Sequence, residues 1–384
     1  MRIRLERDVL AEAVAWTARS LPARPPVPVL AGLLVEASGD RLTLSSFDYE
    51  VSARTTIDAT VEEAGTALVS GRLLAEITRS LPDRPVTLST EGTKVLLVCG
   101  SSRFSLPTLP VEDYPTLPDM PAVTGTLHGA AFAAAVAQVA VAAGRDDTLP
   151  VLTGIRLEID GSTLTLAATD RYRLAVRELP WEPGQSDGEA VALVPARTLA
   201  ETAKALAGGS AVSLALSSGG IGEGLIGFEG DGATGARRTT SRLLDGEFPK
   251  YRALLPSESQ TVASLDTAAF VESVRRVALV AERNAPVRLT FSAGEVQLDA
   301  GTGDDAQASE SLEATLEGES ITIAFNPQYL LDGLGAIDTP IAVLSFTTAT
   351  KPAVLTGRTG DGDSGTGAGS GDYRYLLMPV RLSG

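Results

Sequence analysis

The stretch LPVLTGIRLEIDGSTLTLAATDRYRLAV, Leu149–Val176, repeats an earlier part of the same chain. The earlier copy is VPVLAGLLVEASGDRLTLSSFDYEVSA, Val27–Ala53, and a shift of 122 residues pairs Pro28 with Pro150. Similarity to itself at a long, fixed spacing indicates a repeated structural unit. The fold is therefore to be sought in one unit that occurs more than once.

Two further alignments extend the repeat to three copies. VSGRLLAEITRSL, VPARTLAETAKAL and FNPQYLLDGLGAI match one another, with Arg72, Arg197 and Gln328 at equivalent positions. AAFVESVRRVALVAERNAPVRLTF matches AAFAAAVAQVAVAAGRDDTLPVLTGIRL, which pairs Phe270 with Phe132. Three copies in 384 residues give about 128 residues per copy.

Hydrophobic periodicity indicates the secondary structure of each copy. ERDVLAEAVAWTARSL has apolar residues at helical spacing, whereas GDRLTLSSFDYEVSA alternates with period two, which is typical of a strand. Each copy therefore predicts an α+β domain with two helices packed on mostly antiparallel strands. Aperiodic stretches near 118–125 and 255–262 suggest domain boundaries at 1–120, 125–256 and 257–384.

The composition is that of a globular protein with aliphatic cores. Apolar residues make up 44% of the chain and aromatic residues 5%. The N-terminal segment is charged, and no window reaches the roughly 18 apolar residues of a membrane helix. Cys99 is the single cysteine, so no intrachain disulfide can form and a cytoplasmic location is expected.

The residue types needed for common catalytic sites are scarce. His128 is the single histidine, so neither a His/Cys metal site nor a Ser-His-Asp triad is expected. GEGLIG, 222–227, matches G-x-G-x-x-G but precedes no helical pattern, so it is interpreted as a turn. The glycine-rich run 359–372 is interpreted as a surface loop. The sequence thus predicts a protein that is not an enzyme and needs no cofactor or metal.

Positive charge recurs at equivalent positions although the net charge is −16. Cations follow the first helix or lie in the second helix of the copies: Arg24, Arg72, Arg79, Arg145, Arg197, Lys204 and Arg283. Arginine near helix N-termini suits phosphate. The alternative is that each cation lies on a solvated helix face, paired with acids such as Glu76 or Glu201. As a set, they predict one basic surface that holds duplex nucleic acid without reading its sequence.

Several motifs, in order, closely resemble the bacterial replicative sliding clamp, the beta subunit of DNA polymerase III, and most of all its versions from high-GC Gram-positive bacteria. They are SSRFSLPTLPVEDYPTLP, ATDRYRLAV, EFPKYRALLP and YLLMPVRL, and the resemblance covers the whole chain. It implies a head-to-tail homodimeric ring of six domains that encircles DNA. It also implies polymerase III alpha subunit, the clamp loader and other clamp-binding proteins as partners, and no membrane.

The same resemblance implies two sets of contact residues. A pocket for a short apolar peptide would use Leu152, Thr169, Arg171, Leu174, Pro249, Leu254, Val354, Leu376 and Met378. The dimer interface would place Phe104 of one protomer against Leu279 and Val280 of its partner. Many relatives have Gly-His where this chain has Arg171-Tyr172, which makes the pocket rim bulkier and more basic.

Three other functions compete with a processivity clamp that encircles DNA. One is a second-copy clamp that confers resistance to a clamp-binding antibiotic. Another is a tandem-repeat adaptor that binds peptides without encircling anything. The third, a carbohydrate- or nucleotide-modifying enzyme, is disfavoured because the catalytic residue sets are missing.

Overall fold

One order of elements recurs in each third of the chain. The computed structural model describes residues 1–184, 189–217, 224–256, 258–281, 285–301, 306–360 and 373–381. Within them each copy has a strand, a helix, three strands, another strand, a second helix and three final strands. The first and second copies add one short strand before the second helix. This order confirms the predicted α+β repeat.

The first copy contains two helices and nine strands. The helices are α1 (Arg7–Thr17) and α2 (Gly71–Ser80). The strands are β1 (Arg2–Leu5), β2 (Gly32–Ser38), β3 (Arg41–Phe47), β4 (Val51–Asp58), β5 (Thr60–Glu63), β6 (Gly65–Ser70), β7 (Val86–Glu91), β8 (Lys94–Cys99) and β9 (Ser102–Leu109).

The second copy has the same organisation. Its helices are α3 (Gly129–Ala140) and α4 (Ala196–Leu206). Its strands are β10 (Val123–His128), β11 (Gly154–Asp160), β12 (Thr163–Thr169), β13 (Arg173–Pro180), β14 (Glu182–Pro183), β15 (Ala190–Pro195), β16 (Ala211–Leu216), β17 (Leu225–Asp231) and β18 (Ala236–Arg242).

The part of the third copy that the structure describes has no additional strand before the second helix. Its helices are α5 (Thr267–Ala278) and α6 (Pro327–Gly335). Its strands are β19 (Thr261–Asp266), β20 (Val287–Ser292), β21 (Gly294–Ala300), β22 (Ala308–Glu317), β23 (Ile321–Phe325), β24 (Ile341–Phe346), β25 (Ala353–Arg358) and β26 (Tyr373–Leu377).

The strands form one antiparallel sheet in each of two compact units. The first unit comprises Met1–Ala133, Trp181–Gly188 and Thr198–Leu243, and the second comprises Ala134–Pro180, Glu189–Arg197 and Leu244–Gly384. The first unit's 14-stranded sheet joins two copies by pairing β18 with β4, and the second unit's 12-stranded sheet joins two copies by pairing β13 with β26. In both sheets the fourth strand of one copy thus pairs with the last strand of the next.

Amphipathic helices cover these sheets with aliphatic side chains. In α1, Leu10, Ala13, Val14 and Trp16 are buried, which matches the predicted helical face. Leu10, Ala13 and Val14 join a cluster with residues of the surrounding strands, such as Leu44 of β3. Full burial of one aliphatic side chain contributes about 1.5–3 kcal/mol, so many leucines and valines compensate for the scarcity of aromatic rings.

The repeated proline and glycine that define the copies have a shared structural cause. A short 3-10 turn follows each proline, at Pro28–Ala31 and Pro150–Thr153, and a glycine then opens the next strand. A Cβ on Gly154 would lie 2.8 Å from Leu193 and Leu244 side-chain carbons. Equivalent crowding by Leu68 occurs at Gly32. A side chain at either position would therefore require neighbouring leucine side chains to shift.

Two motifs set aside as turns or loops fall partly outside the described residues. The last three residues of the GEGLIG match, Leu225–Gly227, begin strand β17, so the interpretation of the match as a turn is wrong for them, and no helix follows. Residues 222 and 223 of that match, and 361–372 of the glycine-rich run, are outside the described ranges.

Candidate peptide groove and nucleic-acid-facing cations

An apolar row crosses three neighbouring strands of the second unit. Leu174 of β13 lies opposite Leu376 of β26, and Leu376 lies opposite Val354 of β25. Residues paired across antiparallel strands project from the same face of the sheet. Their exposed fractions are 1%, 2% and 8%. They form the floor of a candidate groove, and Thr169, paired with Leu174, continues it onto β12.

One wall of this groove is the segment that follows β18. Phe248 and Tyr251 are buried in one cluster with Leu174 and Leu376. A 3-10 turn, Tyr251–Leu254, then leaves Leu254 52% exposed. Pro249, between Phe248 and Tyr251 in the sequence, is half-buried. An apolar side chain held open to solvent above an apolar floor is suited to receive another apolar group.

The opposite wall is the turn between β12 and β13. The Asp170 carboxylate accepts the backbone N–H groups of Tyr172 at 3.0 Å and Arg173 at 3.1 Å. Arg171 has φ of 80°, a left-handed conformation that costs a non-glycine residue about 1–2 kcal/mol. The Met378 N–H donates to the Tyr172 carbonyl at 2.9 Å. The turn therefore carries the exposed Arg171 and Tyr172, and it is attached to the exposed Met378.

Arg173 anchors the base of this turn. Its buried guanidinium contacts Asp170 at 2.9 Å, forms an ion pair with Asp332 of α6, and lies 4.4 Å from the centre of the Tyr329 ring. Burial acts to lower the pKa of Arg173, but Tyr375 and the hydrogen bond to Asp332 outweigh it, so the pKa rises. The arginine is fixed in its charged form.

A cavity of about 830 Å³ adjoins the turn. Leu152, Arg171, Tyr172, Arg145 and Tyr329 are among its lining residues. The Tyr172 and Tyr329 rings stack with their centres 6.2 Å apart. The Thr148 hydroxyl and backbone N–H lower the pKa of Asp146, and Arg171 adds to the effect. Arg145, predicted to face DNA, thus borders the groove as well.

The second unit brings the nine predicted pocket residues to these strands, turns and cavity. The prediction named Tyr172 only as part of the rim, and it omitted Arg173, Tyr329 and Asp332, together with Phe248 and Tyr251. Three of the five omitted residues, Arg173, Phe248 and Tyr251, lie in the motifs ATDRYRLAV and EFPKYRALLP. Their position in these motifs, beside residues that were predicted, was therefore the sequence signal that could have identified them. Tyr329 and Asp332 lie in α6 beside Gln328, whose side chain donates to Asp332 at 2.7 Å.

The predicted DNA-facing cations that the structure describes are exposed. Arg72 and Arg197 are the second residues of α2 and α4, and Gln328 holds the same place in α6. Arg72 donates to the Pro22 carbonyl at 3.0 Å. The other described members are Arg24, Arg79, Arg145 and Lys204. Arg283 lies outside the described residues.

The predicted dimer residues differ in exposure. Leu279, just after α5, is 83% exposed and Phe104 of β9 is 37% exposed. Val280 is partly buried. An exposed leucine of this degree is available for contact with another chain.

The described ranges contain no cluster of three or more metal-ligating side chains. In the same ranges no helix is both long and apolar enough to cross a membrane. His128 is exposed at the end of β10, and Cys99 is buried.

Family models for DNA polymerase III beta subunit match the chain in three consecutive parts. The N-terminal domain model matches residues 1–118, the central domain model 126–250 and the C-terminal domain model 252–364. The chain is 65% identical to the beta sliding clamp of Streptomyces coelicolor, with 100% of both chains covered. It is 49% identical to the beta sliding clamp homolog GriR of Streptomyces muensis, again with 100% of both covered.

Solved structures give the same result. The beta subunit of DNA polymerase III from Pseudomonas aeruginosa matches with a TM-score of 0.86 at 28% identity, over 100% of both chains. A griselimycin-bound sliding clamp from the same species matches with a TM-score of 0.87 at 28% identity, over 100% of both chains. These matches define a non-catalytic processivity factor of DNA replication. Within that class the chain belongs to the bacterial beta sliding clamp family, and it acts as a sliding clamp whose partners are DNA and the polymerase.

Proposed function

We propose that two copies of this chain close head to tail into a ring around duplex DNA in the cytoplasm. Each protomer then presents its groove to the polymerase III alpha subunit, the clamp loader and other clamp-binding proteins. The observation that carries the proposal is the apolar row Leu174–Leu376–Val354 beneath the exposed Leu254 and Met378. Phe104 of one protomer would contact Leu279 and Val280 of its partner.

The groove is suited to a short peptide with apolar side chains. Its floor is aliphatic, its two walls each carry an exposed apolar residue, and its rim carries Arg171 and the Tyr172–Tyr329 stack. Burying one leucine or phenylalanine side chain yields about 1.5–3 kcal/mol. Two such anchors with a few hydrogen bonds give moderate affinity, so several partners can exchange on one ring.

The predicted DNA-facing cations would hold DNA loosely. Arg24, Arg72, Arg79, Arg145, Arg197, Lys204 and Arg283 are proposed to face the phosphates. Phosphate contacts carry no sequence information and weaken with salt. In a closed ring, breaking any one of them does not release the DNA, so sliding and retention are compatible. Gln328 replaces the arginine of the other two copies and engages Asp332 instead, so the third copy is expected to hold phosphate less strongly.

Tethering is the physical basis of processivity. A polymerase bound to a ring that cannot leave the duplex stays at high effective concentration near the primer end. The ring must be opened by a separate ATP-driven loader. The chain itself makes and breaks no covalent bond.

The test is topological. The labelled chain is loaded by its cognate loader onto a nicked circular plasmid and passed through a gel-filtration column, before and after the plasmid is linearised. Co-elution with the circle and loss from the linear form are expected. Equal retention on both forms would refute encirclement and favour a peptide-binding adaptor. A particle of single-chain mass at low concentration would refute the dimer.

The alternative of a second-copy clamp rests on the 49% identity to GriR and on the griselimycin-bound clamp of P. aeruginosa. The higher identity to the S. coelicolor beta sliding clamp favours the replicative role. Titration of the pure chain with griselimycin separates them. Tight binding supports the replicative clamp, whereas binding too weak to measure supports the second-copy clamp.

A further inference from the structure

We propose that Glu158 is a positioning residue for the peptide groove, because it holds the turn Tyr251–Leu254 against the sheet and so sets the position of Leu254. The inference rests on the proposed peptide-binding function of the groove. Glu158 lies on β11, two residues beyond Arg156 on the same face of the sheet.

Three donors converge on the Glu158 carboxylate. The Tyr251 hydroxyl donates to it at 2.9 Å, Arg252 at 2.5 Å and Arg156 at 2.6 Å. The Glu158 side chain is only 15% exposed. Burial opposes its ionisation, but the hydrogen bonds from Arg156 and Tyr251 outweigh that effect and lower its pKa. Two of the three donors belong to the groove wall, so the carboxylate fixes the wall to β11.

Tyr251 connects this carboxylate to the groove floor. Its ring is 3% exposed, packs edge-on against Phe248 at 6.1 Å between centres, and joins the cluster of Leu174 and Leu376. Burial and the bond to Glu158 raise the pKa of its hydroxyl. The hydroxyl therefore stays protonated as a donor. A shift of Tyr251 would move both the floor contact and Leu254, three residues further on.

The backbone of the wall is attached to strands at points on either side of the turn. The Leu244 N–H donates to Leu193 at 2.8 Å, and the Gln260 N–H donates to Phe346 at 2.8 Å. Glu158 supplies a side-chain attachment between them, at the turn itself. This location explains why a carboxylate there can control the position of Leu254.

Glu158 acts without lying in the groove. Residues paired across neighbouring strands form rows that run across the sheet. The row next to that of Leu174 contains Arg156, Ala167 and Val176. Glu158 and Thr165 lie in the row after that. Two rows correspond to roughly 13 Å along a strand. A peptide anchored at Leu174 and Leu376 therefore does not require contact with Glu158.

A double-mutant cycle tests the proposal. The probe is a fluorescein-labelled synthetic peptide that copies the C-terminal segment of the S. coelicolor polymerase III alpha subunit, and its affinity is measured by anisotropy. E158A is expected to weaken binding about five- to tenfold. L254A should weaken binding of the unaltered chain but have much less effect in E158A, because the leucine is already displaced.

Three variants make the outcome specific. E158Q keeps an acceptor for Tyr251 and should recover part of the affinity, and Y251F should reproduce the loss with its packing intact. E178A is the matched control: Glu178 lies on the same face of β13 and pairs with Arg374, so its loss should leave the affinity unchanged. The dimer mass of every variant should equal that of the unaltered chain.

Two results would overturn the inference while leaving the groove intact. One is unchanged peptide affinity in E158A and Y251F. The other is an equal effect of L254A in both backgrounds, which would mean that Glu158 does not act through Leu254. Failure of the unaltered chain to bind the peptide would instead refute the proposed groove, and this inference with it.

Discussion

Ser52 and Thr240 share a hydrogen bond of 2.6 Å between their hydroxyls, across the β4–β18 pair of the first unit. The same register in the second unit pairs Leu174 with Leu376. The strand pairs β4–β18 and β13–β26 join copies with the same topology. At equivalent positions, however, the first pair carries two hydroxyls and the second carries two leucines. Satisfied hydroxyls offer no apolar surface to a ligand. The difference between these two strand pairs, an apolar row at one and paired hydroxyls at the other, therefore follows from two side-chain pairs and not from the fold.

Removing the acidic partner of Arg173 is expected to destabilise the second unit. Arg173 is 5% exposed, so Asp332→Ala leaves a buried charge with reduced compensation. A loss of about 2 kcal/mol in the free energy of unfolding is expected, below the full effect of breaking a buried pair because Asp332 is partly solvated. Urea unfolding followed by circular dichroism measures it.

Glu272→Ala is the matched control for that change. Glu272 pairs with Arg275 at 2.7 Å, but both side chains are more than half exposed. Surface pairs of this kind contribute at most about 0.5 kcal/mol. Equal losses for the two variants would contradict the anchoring role of the Arg173–Asp332 pair.

Met378→Ala is expected to abolish capture of a polymerase-tail peptide. Met378 is 40% exposed and attached to the Tyr172 carbonyl, so its side chain is available at the groove edge without supporting the core. Loss of one apolar anchor costs about 2 kcal/mol or more at a binding centre. Surface plasmon resonance with the immobilised peptide measures the change.

Val380→Ala provides the comparison for Met378→Ala. Val380 is 36% exposed and lies two residues further along, where its N–H donates to Ala324. Its truncation should leave peptide capture intact. Undiminished capture by Met378→Ala would refute the pocket assignment.

The repeat, the helices and the apolar pocket residues could be predicted because each has a local signal. Periodicity marks α1, and the copies of the proline–glycine motif mark the strands that begin at Gly32 and Gly154. The turn at Arg171 had no such signal, since left-handed backbone normally indicates glycine. Tyr49, at the equivalent place in the first copy, has φ of 76°, and Asp48 accepts backbone N–H groups there as Asp170 does. The aspartate holds the turn, which only the structure reveals.

Pairings between distant parts of the chain were also beyond sequence reasoning. Arg173 and Asp332 are separated by 159 positions, and Tyr251 and Glu158 by 93. Each residue alone is an ordinary surface type, and the net charge of −16 supplies many possible partners. The packing of α6 and of the turn Tyr251–Leu254 on the sheet decides which of these side chains meet.

A pH-dependent contribution to stability is expected from Glu310 of β22. Hydrogen bonds from Arg276 and Ser273 lower its pKa from 4.5 to about 2. A carboxylate with a depressed pKa in the folded state stabilises the fold above pH 4.5, and the contribution is lost as the pH falls towards 2. Because the Glu310 side chain is 27% exposed and its partner Arg276 is more than half exposed, the effect should remain below about 1 kcal/mol.

Glu310→Gln tests this expectation. The unfolding free energy of the variant should be lower than that of the unaltered chain at pH 6, and the difference should shrink between pH 4.5 and pH 2. Glu317→Gln, an exposed substitution on the same strand, should show no such trend. A difference that stays constant with pH would contradict the depressed pKa.

Retention on DNA is expected to depend on Arg24 and Arg145 together. Both are exposed, and each follows the first helix of its copy. Arg24→Ala with Arg145→Ala should shorten the lifetime of the loaded ring on a nicked circle without altering dimer mass. If each of the two arginines neutralises one phosphate, the magnitude of the slope of log affinity against log salt concentration falls by about 1.8 per protomer.

The double variant Arg41→Ala with Arg288→Ala is the matched control. It removes two exposed strand arginines and should leave the lifetime and the slope unchanged. Identical behaviour of the two double variants would show that these helix-following arginines do not face the phosphates.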